Sequence, residues 1–254
     1  VRGSLSRGRG RGTSEPAPDR VDDHGGQLVV EVSQRHGRVS QLQVEQGPAS
    51  VAHRASVADG PYDRCVGFTR AELESFAGAT VPDLVGPGVR LLFVGINPGL
   101  WTAATQTHFA HPGNRFYPAL LAAGIIDQPI DRGAGMTAGD RAALIARGIG
   151  ITNIVQRATA KASELTGDEL RAGGVRLRGL VRRLAPDVVA IAGITAYRSA
   201  FGLPRAVAGE QDELFEAARL FVVPNPSGLN AHETVDTLAA AYATAARAAG
   251  VLGP

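Results

Sequence analysis

Sulfur and lysine are almost missing from this chain. One cysteine, Cys65, stands among 254 residues, which excludes an intrachain disulfide framework and an iron–sulfur cluster held by about four cysteines. A reducing cytoplasm is the compartment that fits, and Cys65 reads as a small unpaired side chain. No apolar run approaches the roughly eighteen residues of a membrane span, and no basic start with a short apolar core marks a signal peptide. No His, Cys or Asp spacing resembles a metal site, so neither metal nor cofactor is expected. Charge of one sign is lacking too: 26 basic residues against 24 acidic ones leave a formal +2, with a pI near 9.0. Lys161 is the only lysine, and the heavy use of Ala, Gly and Arg points to coding from a GC-rich genome rather than a selected basic face. Such mild basicity permits nucleic-acid binding without requiring it.

What is present divides into two parts. Residues 1–60 hold the tract Arg7-Gly8-Arg9-Gly10-Arg11-Gly12 followed by Ser, Pro and Asp without apolar periodicity. The expectation there is a disordered arm, with a weak hairpin pattern around His36-Gly37. Residues 61–254 read as one folded domain. Short apolar runs at 90–94, 188–192 and 220–223, and a fourth at 149–154, predict strands buried on both faces. Helical spacing covers 114–123, 168–184 and 232–249, the last with Asn230 as N-cap and Glu233 three residues on. This alternation predicts a three-layer α/β sandwich, a short central parallel sheet flanked by helices. Ligands in such folds bind where loops leave the carboxyl ends of the strands.

Two loops at those ends stand out. Gly95-Ile96-Asn97-Pro98-Gly99 follows the strand ending at Val94, and Pro224-Asn225-Pro226-Ser227-Gly228-Leu229-Asn230 follows the one ending at Val223. Each is a rigid Asn-Pro turn with glycine nearby, holding an asparagine and backbone amides at the sheet edge. That describes a neutral, hydrogen-bonding cleft rather than an acid–base one. Between them lies Phe109-Ala110-His111-Pro112-Gly113-Asn114-Arg115-Phe116, an aromatic residue before a proline turn that opens a helix. His111 reads as a turn-fixing residue, and Arg115 and Arg157 as structural arginines.

With these three motifs at their spacing, residues 88–248 resemble the mismatch-specific uracil/thymine DNA glycosylases of the uracil-DNA glycosylase superfamily. Weaker similarity runs through Gly150-Ile151-Thr152-Asn153-Ile154-Val155 and Leu170-Arg171-Ala172-Gly173-Gly174. The resemblance implies the superfamily's fold and a monofunctional, cofactor-free, monomeric repair enzyme acting on double-stranded DNA with a damaged or mismatched pyrimidine. It implies that Asn97 positions the attacking water and that Phe109 stacks on the everted base, with Ile96, Asn225 and Thr102 around it. Leu229 would wedge into the duplex, and Gly99, Ser227, Gly228 and Asn230 would lie against DNA. Eversion costs a few kcal/mol, an apolar wedge replaces lost stacking, and backbone amides in a dry pocket stabilise the departing anion. With a neutral residue in place of a carboxylate, the expectation is a slow enzyme favouring weakened pairs such as uracil opposite guanine.

The chain departs from the motifs in two places. Asn230-Ala231 stand where relatives carry a small polar residue and an arginine that contacts the opposite strand. Thr102 stands where relatives carry a small residue beside the base's C5 edge, which favours uracil over thymine. The residues alone leave open a broader lesion range, such as deaminated purines or exocyclic cytosine adducts. They equally leave open a non-catalytic nucleic-acid- or nucleotide-binding α/β module.

Overall fold

The computed structural model describes residues 67–253. The expected arm at 1–60, the hairpin pattern and Cys65 lie outside the described residues. The elements run α1 (Arg70–Glu74), β1 (Leu91–Gly95), α2 (Leu100–Thr105), α3 (Phe116–Ala122), α4 (Ala138–Ala146), β2 (Ile149–Asn153), a 3₁₀ turn (Ala162–Glu164), α5 (Gly167–Leu184), β3 (Val188–Ala192), α6 (Ile194–Phe201), β4 (Gly209–Glu210), β5 (Arg219–Val223) and α7 (Val235–Ala248). The sheet order is β2-β1-β3-β5-β4. The first four of these strands are parallel, and the two-residue β4 caps one edge antiparallel to β5.

Alternation along the strands makes three layers, because successive side chains leave a strand on opposite faces. Leu91, Phe93, Ile149, Ile151 and Val188 pack with α3 and α7 on one face. Leu92, Val94, Val189, Ile191 and Val222 pack with α5 and α6 on the other. Both faces are covered, which is why the strands read as continuous apolar runs.

The helices obey their end chemistry. Thr166 caps α5 in a reciprocal box with Glu169; Asp168 and Glu169 lie in its first turn and Arg182 and Arg183 in its last, matching the helix dipole. The last helix starts later than its apolar stripe suggests. Thr234, boxed with Thr237, is the N-cap of α7. Asn230 instead donates from Nδ2 to the Asn225 carbonyl at 3.2 Å, so it staples the preceding loop. A β-branched hydroxyl at 234 outcompetes it because Thr237 sits three residues on to close the box.

The chain runs from β1 outward to β2 and then returns to β3 on the other side of β1. The direction of winding therefore switches between β1 and β3, and the crevice outside their carboxyl ends is where an open sheet of this kind takes a ligand.

Candidate active site

All four parallel strands deliver loops to that crevice, and hydrogen bonds lace the loops together. Beyond the last paired residues, Ile154 and Val155 donate their N–H groups to Gly95 and Ile96 carbonyls, both at 2.9 Å. Thr159 N–H donates to the Pro98 carbonyl at 3.1 Å, and Gly193 N–H to the Val223 carbonyl at 2.9 Å. Gly99 is the exposed N-cap of α2. A Cβ on Gly193 would sit 3.5 Å from Ile96 Cδ1 and 3.7 Å from Asn225 Cβ. The loops after β1, β3 and β5 thus meet at one point.

Asn97 is anchored by its amide nitrogen. Nδ2 donates to Thr159 Oγ1 at 2.7 Å, the Arg157 carbonyl at 3.0 Å and the Pro98 carbonyl at 3.1 Å. Carbonyl oxygens only accept, so these partners fix which end of the amide faces them. Oδ1 points the other way and has no hydrogen-bond partner among the described residues. Arg157 is held in turn by Glu169, with Nε and Nη2 donating to its two oxygens at 2.8 and 3.2 Å. Those bonds, together with the Thr166 N–H, hold the Glu169 carboxyl down at a pKa of about 2. Arg157 is accordingly spoken for by a carboxylate, and its carbonyl supports Asn97.

Phe109 stands in a left-handed conformation with φ 55°, uncommon for an aromatic residue. Its neighbours hold it there. Tyr117 Oη donates to the His108 carbonyl at 2.8 Å, and Ala110 N–H donates to Thr102 Oγ1 at 3.4 Å. Thr102 is buried and braces the segment carrying the ring. One face of Phe109 stacks on Phe116 at 4.1 Å with 24° between planes, leaving a single face for any other partner. Locked backbone outliers of this kind cluster at functional sites.

Asn153, at the end of β2, escaped the reading of the sequence as a site residue. It is 3% exposed, and its Nδ2 lies 3.1 Å from His108 Nδ1. A Cβ built on Gly95 would be 2.4 Å from Asn153 Oδ1 and 3.2 Å from the Phe109 ring. Gly95 therefore lets an amide oxygen and an aromatic edge converge two residues before Asn97. The available signal was a pair of polar residues, Thr152 and Asn153, ending a strand that starts apolar.

The second motif loop is pinned to the first helix-opening turn. Asn225 Oδ1 accepts from Ser227 N–H at 3.1 Å, and Ser227 Oγ accepts from Leu229 N–H at 3.3 Å. Arg115 donates to the Ser227 and Asn230 carbonyls at 2.7 and 2.6 Å and also to that of Glu233. Gly228 allows close approach, since a Cβ there would lie 2.6 Å from the Gly113 carbonyl oxygen. Leu229 at the tip is 91% exposed. His111 Nδ1 accepts from Gly113 N–H at 3.0 Å, the turn-fixing role its sequence context suggests.

The model of the Uracil DNA glycosylase superfamily matches residues 82–246. The chain belongs to that superfamily. The solution NMR structure of a proposed uracil DNA glycosylase from Methanosarcina acetivorans is similar at 17% identity and a TM-score of 0.47, over 65% of this chain and 96% of that one. Within this superfamily member, Asn97, Ile96, Phe109 and Asn225 gather at the carboxyl edge of the sheet, and Leu229 projects from it. A cleft of about 870 Å³ opens at the opposite edge, lined by Arg90, Arg182, Asp187, Glu216, Arg219 and Arg247 among others. Three of those arginines are paired, with Asp187, Glu216 and Glu210, and no motif residue lines it. Among the described residues no group of His, Cys, Asp and Glu could hold a metal, and no helix is long and apolar enough to cross a membrane.

Proposed function

We propose that the chain is a monofunctional DNA glycosylase of the mismatch-specific branch, hydrolysing the bond between uracil and deoxyribose, above all where uracil faces guanine. The observation that carries this reading is the convergence of Phe109 and Asn153 on the bare Gly95, two residues before Asn97, whose Oδ1 has no hydrogen-bond partner among the described residues. An everted pyrimidine stacked on the open face of Phe109 recovers roughly 1–3 kcal/mol. Asn153 Oδ1 accepts a hydrogen bond from its imide N–H, and Asn97 Oδ1 accepts a hydrogen bond from the water that attacks C1′, which orients that water. The C1′–N1 bond breaks and its electron pair leaves with the base as an anion, while water supplies the hydroxyl on the sugar and its remaining proton passes through solvent to neutralise the departed base. Asn97 carries no charge to offset the developing sugar cation, and each 1.4 kcal/mol forgone costs about tenfold in rate. The enzyme is therefore slow and favours pairs that open cheaply. Leu229, already exposed, fills the vacated stack.

A panel of duplex oligonucleotides tests this, each bearing uracil, thymine, hypoxanthine or an etheno-base, with alkali cleavage of abasic products. Uracil opposite guanine should be released fastest. Faster release of hypoxanthine or an etheno-base would replace the substrate assignment, and no release from any lesion would leave a non-catalytic binding module.

A further inference from the structure

We propose that His108 sets the base preference of this site by fixing which end of the Asn153 amide faces the base. The proposal rests on the glycosylase reading above and adds a residue that touches no substrate. His108 is 1% exposed and lies between two elements that constrain it oppositely. Its Nε2 is 3.0 Å from the Pro82 carbonyl oxygen. A carbonyl has no proton to give, so Nε2 must carry the hydrogen. Nδ1 is then a bare lone pair, and the Asn153 nitrogen 3.1 Å away must be the donor. The opposite amide orientation would set Oδ1 against that lone pair inside a buried site, where such a mismatch is most costly.

The backbone behind Asn153 is fixed as well. Its carbonyl accepts from Gln156 Nε2 at 3.3 Å and from Arg176. Arg176 and Thr152 both reach Asp83, one residue after Pro82, so a single strap at 82–83 anchors the histidine and the strand end together. Oδ1 is left against Gly95 without a hydrogen-bond partner among the described residues. A pair serving only the core would leave no acceptor over. The site thus offers an acceptor alone, which suits the N3–H of uracil or thymine and opposes the N3 lone pair of cytosine.

The experiment compares release of 5-fluorouracil and 5-fluorocytosine from otherwise identical duplexes, fluorine making both bases competent leaving groups. In His108→Phe the ratio of single-turnover rates should fall about tenfold or more, the size of one misplaced hydrogen bond. In His108→Gln, whose side chain both donates and accepts, it should stay within about threefold of wild type, since both bonds can be remade. Nitrogen-15 NMR of the wild-type chain should show His108 protonated at Nε2, a readout independent of catalysis. An Nδ1-protonated ring, or an unchanged ratio in folded His108→Phe, overturns this proposal alone. Release of neither base by the wild type sinks the glycosylase reading and the proposal with it.

Discussion

Because Asn97 commits its amide protons to Thr159 and two carbonyls, a carboxylate in its place would face the Pro98 and Arg157 oxygens with nothing to donate. Asn97→Asp should destabilise the fold by about 1–3 kcal/mol, the cost of unmatched partly buried polar groups, and should not accelerate base release. Urea unfolding and single-turnover kinetics at neutral pH check both halves. Stability gained together with speed would show that the amide is not anchored as described. His108 carries a second prediction. Burial pushes its imidazole below the usual pKa, with Arg141 acting the same way and the Pro82 carbonyl and Asp83 opposing. The native state then binds fewer protons than the unfolded chain as pH falls below about 6.5, so stability declines with acidification in that window. Thermal unfolding from pH 8 to pH 5 should show a fall that is smaller in His108→Gln.

At the scale of elements, close approaches place the loops. A Cβ on Gly173 of α5 would lie 2.4 Å from the Ile154 carbonyl oxygen, at the root of the loop that supports Asn97. Gly173→Ala should destabilise the protein and slow base release, although alanine is the better helix former by about 1 kcal/mol. Gly179→Ala is the control. Its Cβ meets nothing nearer than 3.8 Å, and it should stabilise by about 0.5–1 kcal/mol without changing the rate. Gly173 lies in a stretch of weaker family similarity and Gly179 does not, but the packing of α5 on the 154–157 turn is what gives the difference its physical reason. The four parallel strands were legible because burial on both faces writes a continuous apolar run. The helices α1, α2, α4 and α6 were not, since none spans more than nine residues and an apolar stripe hardly repeats over so few turns, α3 being legible through the motif that opens it. Asn97, Phe109 and Leu229 could be picked out by their motifs. Asn153 lay in a stretch of weaker similarity and received no role, because its significance comes from His108, 45 residues earlier and joined to it only by the fold.

At the scale of the whole molecule, the motif side chains gather at one edge of the sheet, and in the proposed reading the exposed tip of Leu229 meets the duplex. Leu229→Ala should leave stability unchanged within about 0.5 kcal/mol, as expected for a surface position. It should lower release of paired uracil more than of uracil in an unpaired bulge, where no stack needs refilling. Equal losses on both substrates would remove the wedge role. The central claim is that the Asn97 oxygen directs water onto the C1′ of a nucleotide whose base is already held in the slot. Its most direct test is Asn97→Ala measured two ways on one preparation, as uracil release from a uracil–guanine duplex and as affinity for the same duplex bearing an abasic site. The account predicts base release down by about a hundredfold or more with abasic-site affinity within a few-fold of wild type. Base release that survives the substitution, in protein that still binds, would contradict it.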